Sequence, residues 1–299
     1  MKHKIIENNE ITVLIVLYKE TYELISKTLD TLKSYKKIII DNGNDLELKK
    51  KIESSHKIQS YILNKINCGF SAGYNQAIKI CKTEFCLILG PDCIIKDQSI
   101  LKLQEAHKKY DNCFMVAPTS YNEKNELTYT GGPLPENSAK DKILDISGDT
   151  CVQSVLGACM FVKTIDIKNI KMFDENFFLY LEEIDLCKRL KLASEKIYIC
   201  GKAKITHLSA KSSNIGFEFE KCRNWHWMWS KVYYNKKHKS FFYAFRDAFL
   251  TILFNYTKGI LFYLFNKKIS QIYFLRGSGT LNAIMGKNSW YRPRINPTN

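Results

Sequence analysis

The sequence predicts an α/β fold, in which a mostly parallel sheet carries helices on both faces and is followed by a helical, basic C-terminal region. Up to residue 110, short apolar segments of strand length alternate with segments of helical period, which is typical of a parallel sheet covered on both faces. Polar residues follow each of the first four apolar segments. From residue 221 onward, nine Lys and five Arg stand against a single acid, Asp247. This change in character predicts a second region.

The alternation predicts the elements in chain order. Strands are predicted at residues 11–17, 37–41, 58–63, 85–89 and 113–117, and another apolar segment spans residues 155–162. Helices are predicted at residues 21–34, 45–54 and 101–110, after the glycine-rich turn that follows Asn67, and over most of 215–285. A hairpin is predicted around Gly131-Gly132-Pro133, because glycine and proline favour turns. In such sheets ligands bind beyond the carboxyl ends of the strands, so we expect the functional residues there.

The composition is that of a folded protein from a reducing compartment. Of 299 residues, 45% are hydrophobic and 25% are charged, which excludes a disordered or collagen-like chain. No two of the ten Cys form a C-x-x-C pair, and we expect them to be reduced and buried. Residues 1–10 contain no apolar run of the signal-peptide type. We therefore expect a cytoplasmic protein.

Two segments at strand ends contain candidate binding residues. Asp92 follows the strand 85–89 and Pro91, so its carboxylate should project at the edge of the sheet; a turn-forming Pro-Asp pair is the alternative. In residues 67–77, N-C-G-F-S-A-G-Y-N-Q-A, Gly69 and Gly73 stand at a strand-to-helix junction, where backbone amides could face an anion. The segment is neither a Walker loop nor a dinucleotide fingerprint. Ordinary turn glycines are the alternative.

An acidic cluster follows the apolar stretch F-F-L-Y-L. On a helix, Glu182 and Asp185 share one face, while Glu183 points about 100° away from Glu182. These carboxylates either cap the start of a helix, where they suit its dipole, or include a general base. His207 ends another short apolar segment and is either a structural residue or a metal ligand.

Seven blocks of sequence follow one another between residues 11 and 207. They are I-T-V-L-I-V-L-Y (11–18), I-I-I-D-N-G-N-D (38–45), N-C-G-F-S-A-G-Y-N-Q-A-I (67–78), L-I-L-G-P-D-C (87–93), G-A-C-M-F-V-K (157–163), F-D-E-N-F-F-L-Y-L-E-E-I-D-L-C-K-R (173–189) and I-T-H (205–207). In this order they resemble the family 2 nucleotide-sugar glycosyltransferases with the GT-A fold, especially the branch that contains bacterial rhamnosyltransferases. The order is more specific than any single block.

The resemblance implies a nucleotide-sugar site at the strand ends. Asp41 matches the acid that contacts the nucleotide base, and residues 67–75 match the part that lines the nucleoside. The implied donor is a dTDP- or UDP-sugar. The positions that match donor-binding residues are Tyr18, Asp41, Asn67, Gly69, Asn75 and Asp92.

The resemblance also implies how the reaction is catalysed. Asp92 matches the carboxylate that holds the diphosphate through a divalent cation, Mg²⁺ or Mn²⁺, and His207 matches the His that can complete the cation site. Cys93 follows Asp92, so the metal motif keeps one carboxylate. Glu183 matches the general base, an Asp in the branch, and Asp185 is the alternative base. Direct attack opposite the diphosphate would invert the anomeric configuration.

The implied activity is transfer of a sugar, with rhamnose suggested by the branch, to a saccharide or lipid-linked saccharide in bacterial surface glycan synthesis. Two alternatives belong to another class: a non-catalytic glycan-binding relative and a basic nucleic-acid-binding protein. Only six of the 45 basic residues are Arg, and no nucleic-acid motif is present. We therefore expect no nucleic-acid partner.

Residues 216–299 are expected to form a basic, aromatic and helical region after a catalytic domain at 1–215. Arg246, Asp247 and Lys258 interrupt its apolar stretch, which is too short for a bilayer-spanning helix of ~20 apolar residues. Such a region suits the surface of an anionic membrane. The alternative is packing on the catalytic domain or on a second subunit of a homodimer. We expect a protein that is peripheral at the inner face of the cell membrane.

Overall fold

A computed structural model describes residues 8–137, 146–208 and 216–292. Its strands are β1 (Asn8–Leu17), β2 (Tyr35–Asp41), β3 (Ser60–Leu63), β4 (Phe85–Leu89), β5 (Cys93–Ile95), β6 (Cys113–Tyr121), β7 (Gly131–Gly132), β8 (Thr150–Val152), β9 (Ser154–Val155), β10 (Cys159–Lys163) and β11 (Lys196–His207). Its helices are α1 (Tyr22–Asp30), α2 (Leu46–Ser55), α3 (Gly69–Ile80), α4 (Asp97–Lys109), α5 (Thr164–Asn169), α6 (Glu182–Leu192), α7 (Gly216–His238), α8 (Phe241–Tyr263) and α9 (Lys267–Ile284). The alternation predicted up to residue 110 is confirmed.

The main sheet has the strand order β3-β2-β1-β4-β10-β6-β11-β5, and β8 pairs with β11. The strands β3, β2, β1 and β4 are parallel. β10 runs antiparallel between β4 and β6, and β6 and β11 are parallel again. The α/β fold of the prediction is confirmed, and the sheet becomes mixed where β10 enters it.

Local sequence explains where the first helices begin. Thr21 caps α1 by accepting a hydrogen bond from the N–H of Leu24, and Asp45 caps α2 by accepting one from the N–H of Leu48 at 2.9 Å. Successive side chains of β1 are fully buried, so both faces of this central strand are covered. One core cluster joins β1 and β4 with α1, α2 and α4. The ends of the strands are therefore fixed by a packed core.

Two segments differ from their predicted form. Gly131–Gly132 does not form a local hairpin but pairs antiparallel with Ser154–Val155; a Cβ at Gly131 would lie 2.3 Å from the carbonyl oxygen of Ser154. The apolar segment at 155–162 is not continuous but is divided between β9 and β10, because Leu156 N–H donates to Thr130 O at 2.7 Å and the chain turns there. This turn becomes part of the candidate site.

The cysteines are all free, as predicted, but they are not all buried. Cys151 is exposed and Cys68 is half-buried. Cys151 belongs to β8, an edge strand with a single neighbour in the described part of the chain. Side chains on such a strand are covered less than those on the central strands.

The chain divides into two compact units. The first comprises Met1–Cys68, Ala72–Asp174 and Glu183–Ser213; the second comprises Gly69–Ser71, Glu175–Glu182 and Asn214–Asn299. The boundary predicted at residue 215 falls outside the described residues. The second unit has its own apolar core around Trp225 and Trp229 of α7.

Candidate active site

The candidate site lies beyond the carboxyl ends of the parallel strands. Leu17, near the end of β1, pairs with Asp41 at the end of β2. Because β10 is antiparallel to β4, its first residue, Cys159, lies beside Leu89, the last residue of β4. One edge of the sheet therefore gathers the segments that follow β1, β2 and β4 and the turn that precedes β10.

The turn after β4 presents Asp92 at this edge. Its backbone is fixed on both sides: Gly90 N–H donates to Ala158 O at 2.8 Å, and the Thr28 hydroxyl donates to Pro91 O at 2.8 Å. A Cβ at Gly90 would lie 3.2 Å from Asp92 Oδ1. Glycine at this position therefore leaves room for the carboxylate.

Asp92 lies next to His207, the other residue that the resemblance assigns to the cation. The strand β5 begins directly after the turn and pairs antiparallel with β11, so Cys93 lies beside His207. Asp92 Oδ2 is 3.5 Å from His207 Nε2. Asp92, Cys93 and His207 each offer one ligand atom, and these atoms lie within 4.8 Å of one another.

This donor set fits a divalent cation. A carboxylate is the ligand that Mg²⁺ and Mn²⁺ prefer, while an imidazole and a thiol also suit softer ions. The sequence analysis assigned Asp92 and His207 to the cation but passed over Cys93. Cys93 is recognised as a third possible ligand because β5 pairs with β11 and places it beside His207, a pairing that only the fold reveals.

Glu20 is a buried carboxylate at the same edge that sequence analysis missed. Lys19 has a φ of +64°, and after this left-handed residue the carboxylate of Glu20 accepts a hydrogen bond from the N–H of Tyr18. Burial raises the pKa of Glu20 well above its usual range, and the charges of Asp41 and Asp92 raise it further. A cation bound nearby would favour the ionised form of these carboxyl groups.

Asp41 ends β2, and its neighbours hold its carboxylate in place. The carboxylate accepts hydrogen bonds from the N–H of Gly43 at 2.7 Å, the N–H of Asp45 at 3.2 Å and the hydroxyl of Tyr61 at 3.1 Å. Burial raises the pKa of Asp41. A contact of this carboxylate with a nucleotide base stays a prediction.

The glycines of the segment 67–77 make close backbone approaches. Gly69 has a φ of +87°, and a Cβ there would lie 2.4 Å from Phe178 O, which also accepts a hydrogen bond from Phe70 N–H at 2.9 Å. Gly73 lies inside α3 and not at its start; its Cβ would lie 2.9 Å from Val16. Both positions therefore require glycine for packing.

The other predicted donor-binding residues have different surroundings. Asn75 is buried, and its side chain forms two hydrogen bonds with the backbone of Phe173: its amide donates to the carbonyl at 2.9 Å, and its oxygen accepts from the N–H at 3.0 Å. Asn75 thus anchors the start of the segment 173–189. Tyr18 and Asn67 are half-buried, and their roles in donor binding stay predictions.

Glu183 lies in the first turn of α6. Its carboxylate is held by the backbone N–H groups of Glu183, Ile184 and Gly157, as an anion is held at a helix N-terminus. Its Oε2 is buried and has no hydrogen-bond partner within the residues that the structure describes. Burial raises the pKa of Glu183. A fixed carboxylate with a raised pKa and an unused acceptor atom has the properties of a general base.

Asp185 has a different environment. It is 0% exposed, and its Oδ2 accepts a hydrogen bond from Arg189 Nε at 2.9 Å. Arg189 also donates to the carbonyl oxygens of Ile170 and Met172, each at 2.6 Å. Asp185 therefore holds the arginine that fixes the 170–172 loop.

The segment just before α6 has a strained backbone. Tyr180 and Leu181 are two successive non-glycine residues with positive φ, +72° and +67°, and such conformations persist only where the surroundings enforce them. Side chains of α7 do so here: Ser230 donates to Leu179 O at 2.9 Å, and Arg223 donates to the Tyr180 hydroxyl at 2.5 Å. The backbone at Leu179 and the side chain of Tyr180 are therefore held by α7.

The turn between β9 and β10 connects Asp92 with Glu183. Ala158 O accepts the N–H of Gly90 in the turn that carries Asp92, and the N–H of the preceding residue, Gly157, binds the carboxylate of Glu183. Two successive residues therefore anchor both the candidate cation ligand and the candidate base.

Comparison with known proteins identifies the family of this chain. The family model described as Glycosyl transferase family 2 matches residues 12–161, half of the chain. Rhamnosyltransferase WbbL of Escherichia coli (strain K12) is 27% identical over 238 residues, which are 72% of this chain and 89% of the relative. Low-salt glycan biosynthesis hexosyltransferase Agl10 of Haloferax volcanii is 26% identical over 214 residues, 67% of each chain.

The fold is also found among solved structures. The crystal structure of GalNAc-T7 with UDP, GalNAc and Mn²⁺ matches with a TM-score of 0.56 and 9% identity; the match covers 77% of this chain and 51%, about half, of that one. This likeness confirms the predicted GT-A fold. From the family model and the two relatives together, we conclude that the chain belongs to glycosyl transferase family 2 and is a glycosyltransferase.

Proposed function

We propose that this enzyme transfers a hexose from a nucleotide diphosphate donor to a saccharide or lipid-linked saccharide in surface glycan synthesis, with inversion at the anomeric carbon. The observation that carries the proposal is the turn at 157–158, which anchors both Asp92 and Glu183. Similarity to two relatives, a rhamnosyltransferase and a hexosyltransferase, supports a hexose. A dTDP- or UDP-activated rhamnose is the first donor to test.

Glu183 is the proposed base. Its carboxylate accepts the proton of the acceptor hydroxyl, the hydroxyl oxygen bonds to the anomeric carbon, and the bond to the diphosphate breaks on the opposite face, which inverts the configuration. The three N–H groups that hold the carboxylate keep it oriented. Asp185 is a positioning residue, because Arg189 occupies its carboxylate.

Asp92 and His207, with Cys93 beside them, are the proposed ligands of a divalent cation. When bound, the cation would neutralise the charge that builds on the departing diphosphate. Asp92 fixes the position of the diphosphate, because its own turn is tied to α1 and to β10. Tyr18, Asp41, Asn67, Gly69 and Asn75 stay proposed donor-binding positions, of which Gly69 and Asn75 also hold the backbone.

A donor screen tests this function. Purified enzyme is incubated with a panel of dTDP- and UDP-sugars in Mn²⁺, Mg²⁺ or EDTA, and release of the nucleoside diphosphate is measured with and without a saccharide acceptor. We expect one donor to be consumed, faster with a cation and acceptor, and NMR of the product to show the inverted anomer. Asp92→Asn should lower turnover by about 10²–10³-fold, as for loss of a group that stabilises developing charge.

Three results would contradict the proposal: a product with retained configuration, full activity of Asp92→Asn, or no consumption of any nucleotide sugar by the folded enzyme. The matched control is Asp111→Asn, which removes an acid in the turn between α4 and β6. This variant should behave as the unmodified enzyme.

We also propose that the enzyme acts at the inner face of the cell membrane, where a lipid-linked acceptor would be found. The basic character of residues 221–299 supports this location.

A further inference from the structure

The helix α8 carries its small side chains inward and its large ones outward. Its buried positions are Ala244, Ala248, Asn255 and Gly259, which are spaced four, seven and four residues apart and so lie on one face. A surface helix of a globular protein normally buries its large apolar residues. The pattern of α8 is the reverse.

The opposite face of α8 is large, apolar and exposed. We call it the outer face and define it as Phe242, Phe245, Phe249, Leu253, Ile260 and Leu264, the last being the residue that caps the helix. Phe242 is 75% exposed, Phe249 59% and Leu264 82%. Contiguous apolar surface of this kind on a protein marks an interaction site.

The inner face of α8 packs against the other helices of the second unit. The Ser270 hydroxyl of α9 donates to Gly259 O at 2.7 Å, and a Cβ at Gly259 would lie 3.1 Å from the ring of Phe274. Ala248 packs into the core around Trp225. Because this packing already buries one face, rotation of α8 cannot bring the outer face into the core.

The charged residues of α8 and of the segment just before it are almost all basic. Lys239 Nζ lies 4.2 Å from the ring centroid of Tyr243, and Lys258 Nζ lies 5.4 Å from that of Phe254. Asp247 is the single acid after residue 220, and Lys231 binds it at 2.9 Å. An anionic surface would complement this combination of aromatic rings and ammonium groups.

We propose that the outer face of α8 inserts into the headgroup region of an anionic phospholipid bilayer, with the helix lying in the plane of the membrane. Within the described ranges, no helix has the length and hydropathy that crossing a bilayer requires. An in-plane helix with apolar residues on one face and Lys and Arg near it has the features of interfacial binding. The inference rests on the proposed peripheral location and specifies the surface that provides it.

The observations favour lipid over a second copy of this chain. Two copies that met through this face would bring the basic side chains of Arg246 together, while Asp247, the single acid after residue 220, is already paired with Lys231. Such an approach of like charges is unfavourable. A bilayer containing phosphatidylglycerol supplies the opposite charge and accepts aromatic rings at the headgroup level.

Vesicle flotation of the full chain tests the proposal. The protein is floated with phosphatidylcholine vesicles and with vesicles of phosphatidylcholine and phosphatidylglycerol in equal parts. We expect flotation with the anionic vesicles, weakened by high salt. The double variant Phe249→Ser/Leu253→Ser should bind them about 100-fold more weakly, since each large side chain removed from the bilayer costs about tenfold.

The matched control removes two large exposed apolar side chains elsewhere. Ile165→Ser/Leu192→Ser changes residues that are 60% and 71% exposed in α5 and α6, and it should float as the unmodified protein does. Circular dichroism of both double variants should match that of the unmodified protein.

Equal flotation of both double variants, or no flotation of the unmodified chain, would overturn the proposal. A dimer in sedimentation that Phe249→Ser/Leu253→Ser dissociates, without flotation, would overturn it in favour of self-association. Hydrolysis of the nucleotide sugar without an acceptor is measured on the same variants, because it tests the proposed enzymatic function independently of membrane binding. The variant Phe249→Ser/Leu253→Ser should still hydrolyse the nucleotide sugar. If it loses flotation but keeps hydrolysis, the substitution has affected membrane binding and not the proposed enzymatic function.

Discussion

Replacing Glu183 by Gln tests the proposed base directly. The amide has the shape of the carboxylate and can still accept hydrogen bonds from the N–H groups of Glu183, Ile184 and Gly157, but it cannot take a proton from the acceptor. We expect kcat for transfer to fall by about 10²–10⁴-fold, the usual contribution of a general base, which corresponds to about 2.7–5.4 kcal/mol. The KM for the donor should stay nearly unchanged, because Asp92 is not altered.

The same substitution should stabilise the fold at neutral pH. Burial raises the pKa of Glu183 above the ordinary 4.5, so between these two pKa values the folded protein binds more protons than the unfolded chain does. Its stability therefore falls as the pH rises through the folded pKa. Glu183→Gln has no such group, and its melting temperature should exceed that of the unmodified enzyme at pH 7 and converge with it near pH 4.

Asp185→Asn, two residues further along α6, provides the contrast. It weakens the ion pair with Arg189, and we expect it to lower the free energy of unfolding by about 1–3 kcal/mol. Kinetics and thermal unfolding of both variants separate the two roles. A Glu183→Gln enzyme that keeps its kcat, or one that is less stable than the unmodified enzyme at pH 7 and equal to it at pH 4, would refute the reasoning.

Two further predictions follow from buried or strained positions. Gly69→Ala should lower the free energy of unfolding in urea by at least about 1–2 kcal/mol. The φ at Gly69 is left-handed, and a Cβ there would lie 2.4 Å from Phe178 O. Unchanged stability would contradict this prediction, because it would show that the segment relaxes freely. Glu20→Gln should raise the melting temperature at pH 7 but not near pH 4. Burial raises the pKa of Glu20, so the folded state loses stability as the pH rises and the proton is removed. An equal gain in melting temperature at both values of pH would contradict this prediction.

The placement of two acids at the edge of the sheet follows from local sequence. An acid that follows a buried parallel strand must lie at the carboxyl edge of the sheet, and Asp41 and Asp92 are both found there. The family resemblance assigns His207 and Asp92 to one cation, and their side chains lie 3.5 Å apart. The catalytic roles of these residues stay predictions.

The parts that depend on backbone bends could not be predicted. Glu20 is buried because Lys19 adopts a left-handed conformation and brings the carboxylate to Tyr18 N–H, and a Lys at that position carries no sequence signal for it. Residues 155–162 form one uninterrupted apolar segment in the sequence, since hydrophobic pattern cannot show a turn that is imposed by Thr130 and Gly90 from elsewhere in the chain.

The packing of the C-terminal helices could not be predicted from the sequence either. Its basic and aromatic composition is plain in the sequence, and its three helices form as expected. Which side of α8 faces inward is set by close contacts at small residues, such as Gly259 against Phe274. A calculation that assumes the large residues to be buried would orient this helix the wrong way round.

The positions of the two reactive carboxylates follow from where regular structure ends. A helix leaves its first N–H groups without partners inside the helix, and these groups need an acceptor. Glu183 supplies one at the start of α6, and the N–H of Gly157 adds a donor because β9 stops short and the chain turns before β10. The carbonyl of Ala158 in that turn accepts the N–H of Gly90. Interrupting one strand therefore provides both the donor that holds the base and the acceptor that fixes the turn bearing Asp92, so a change that straightened β9 into β10 would remove both at once.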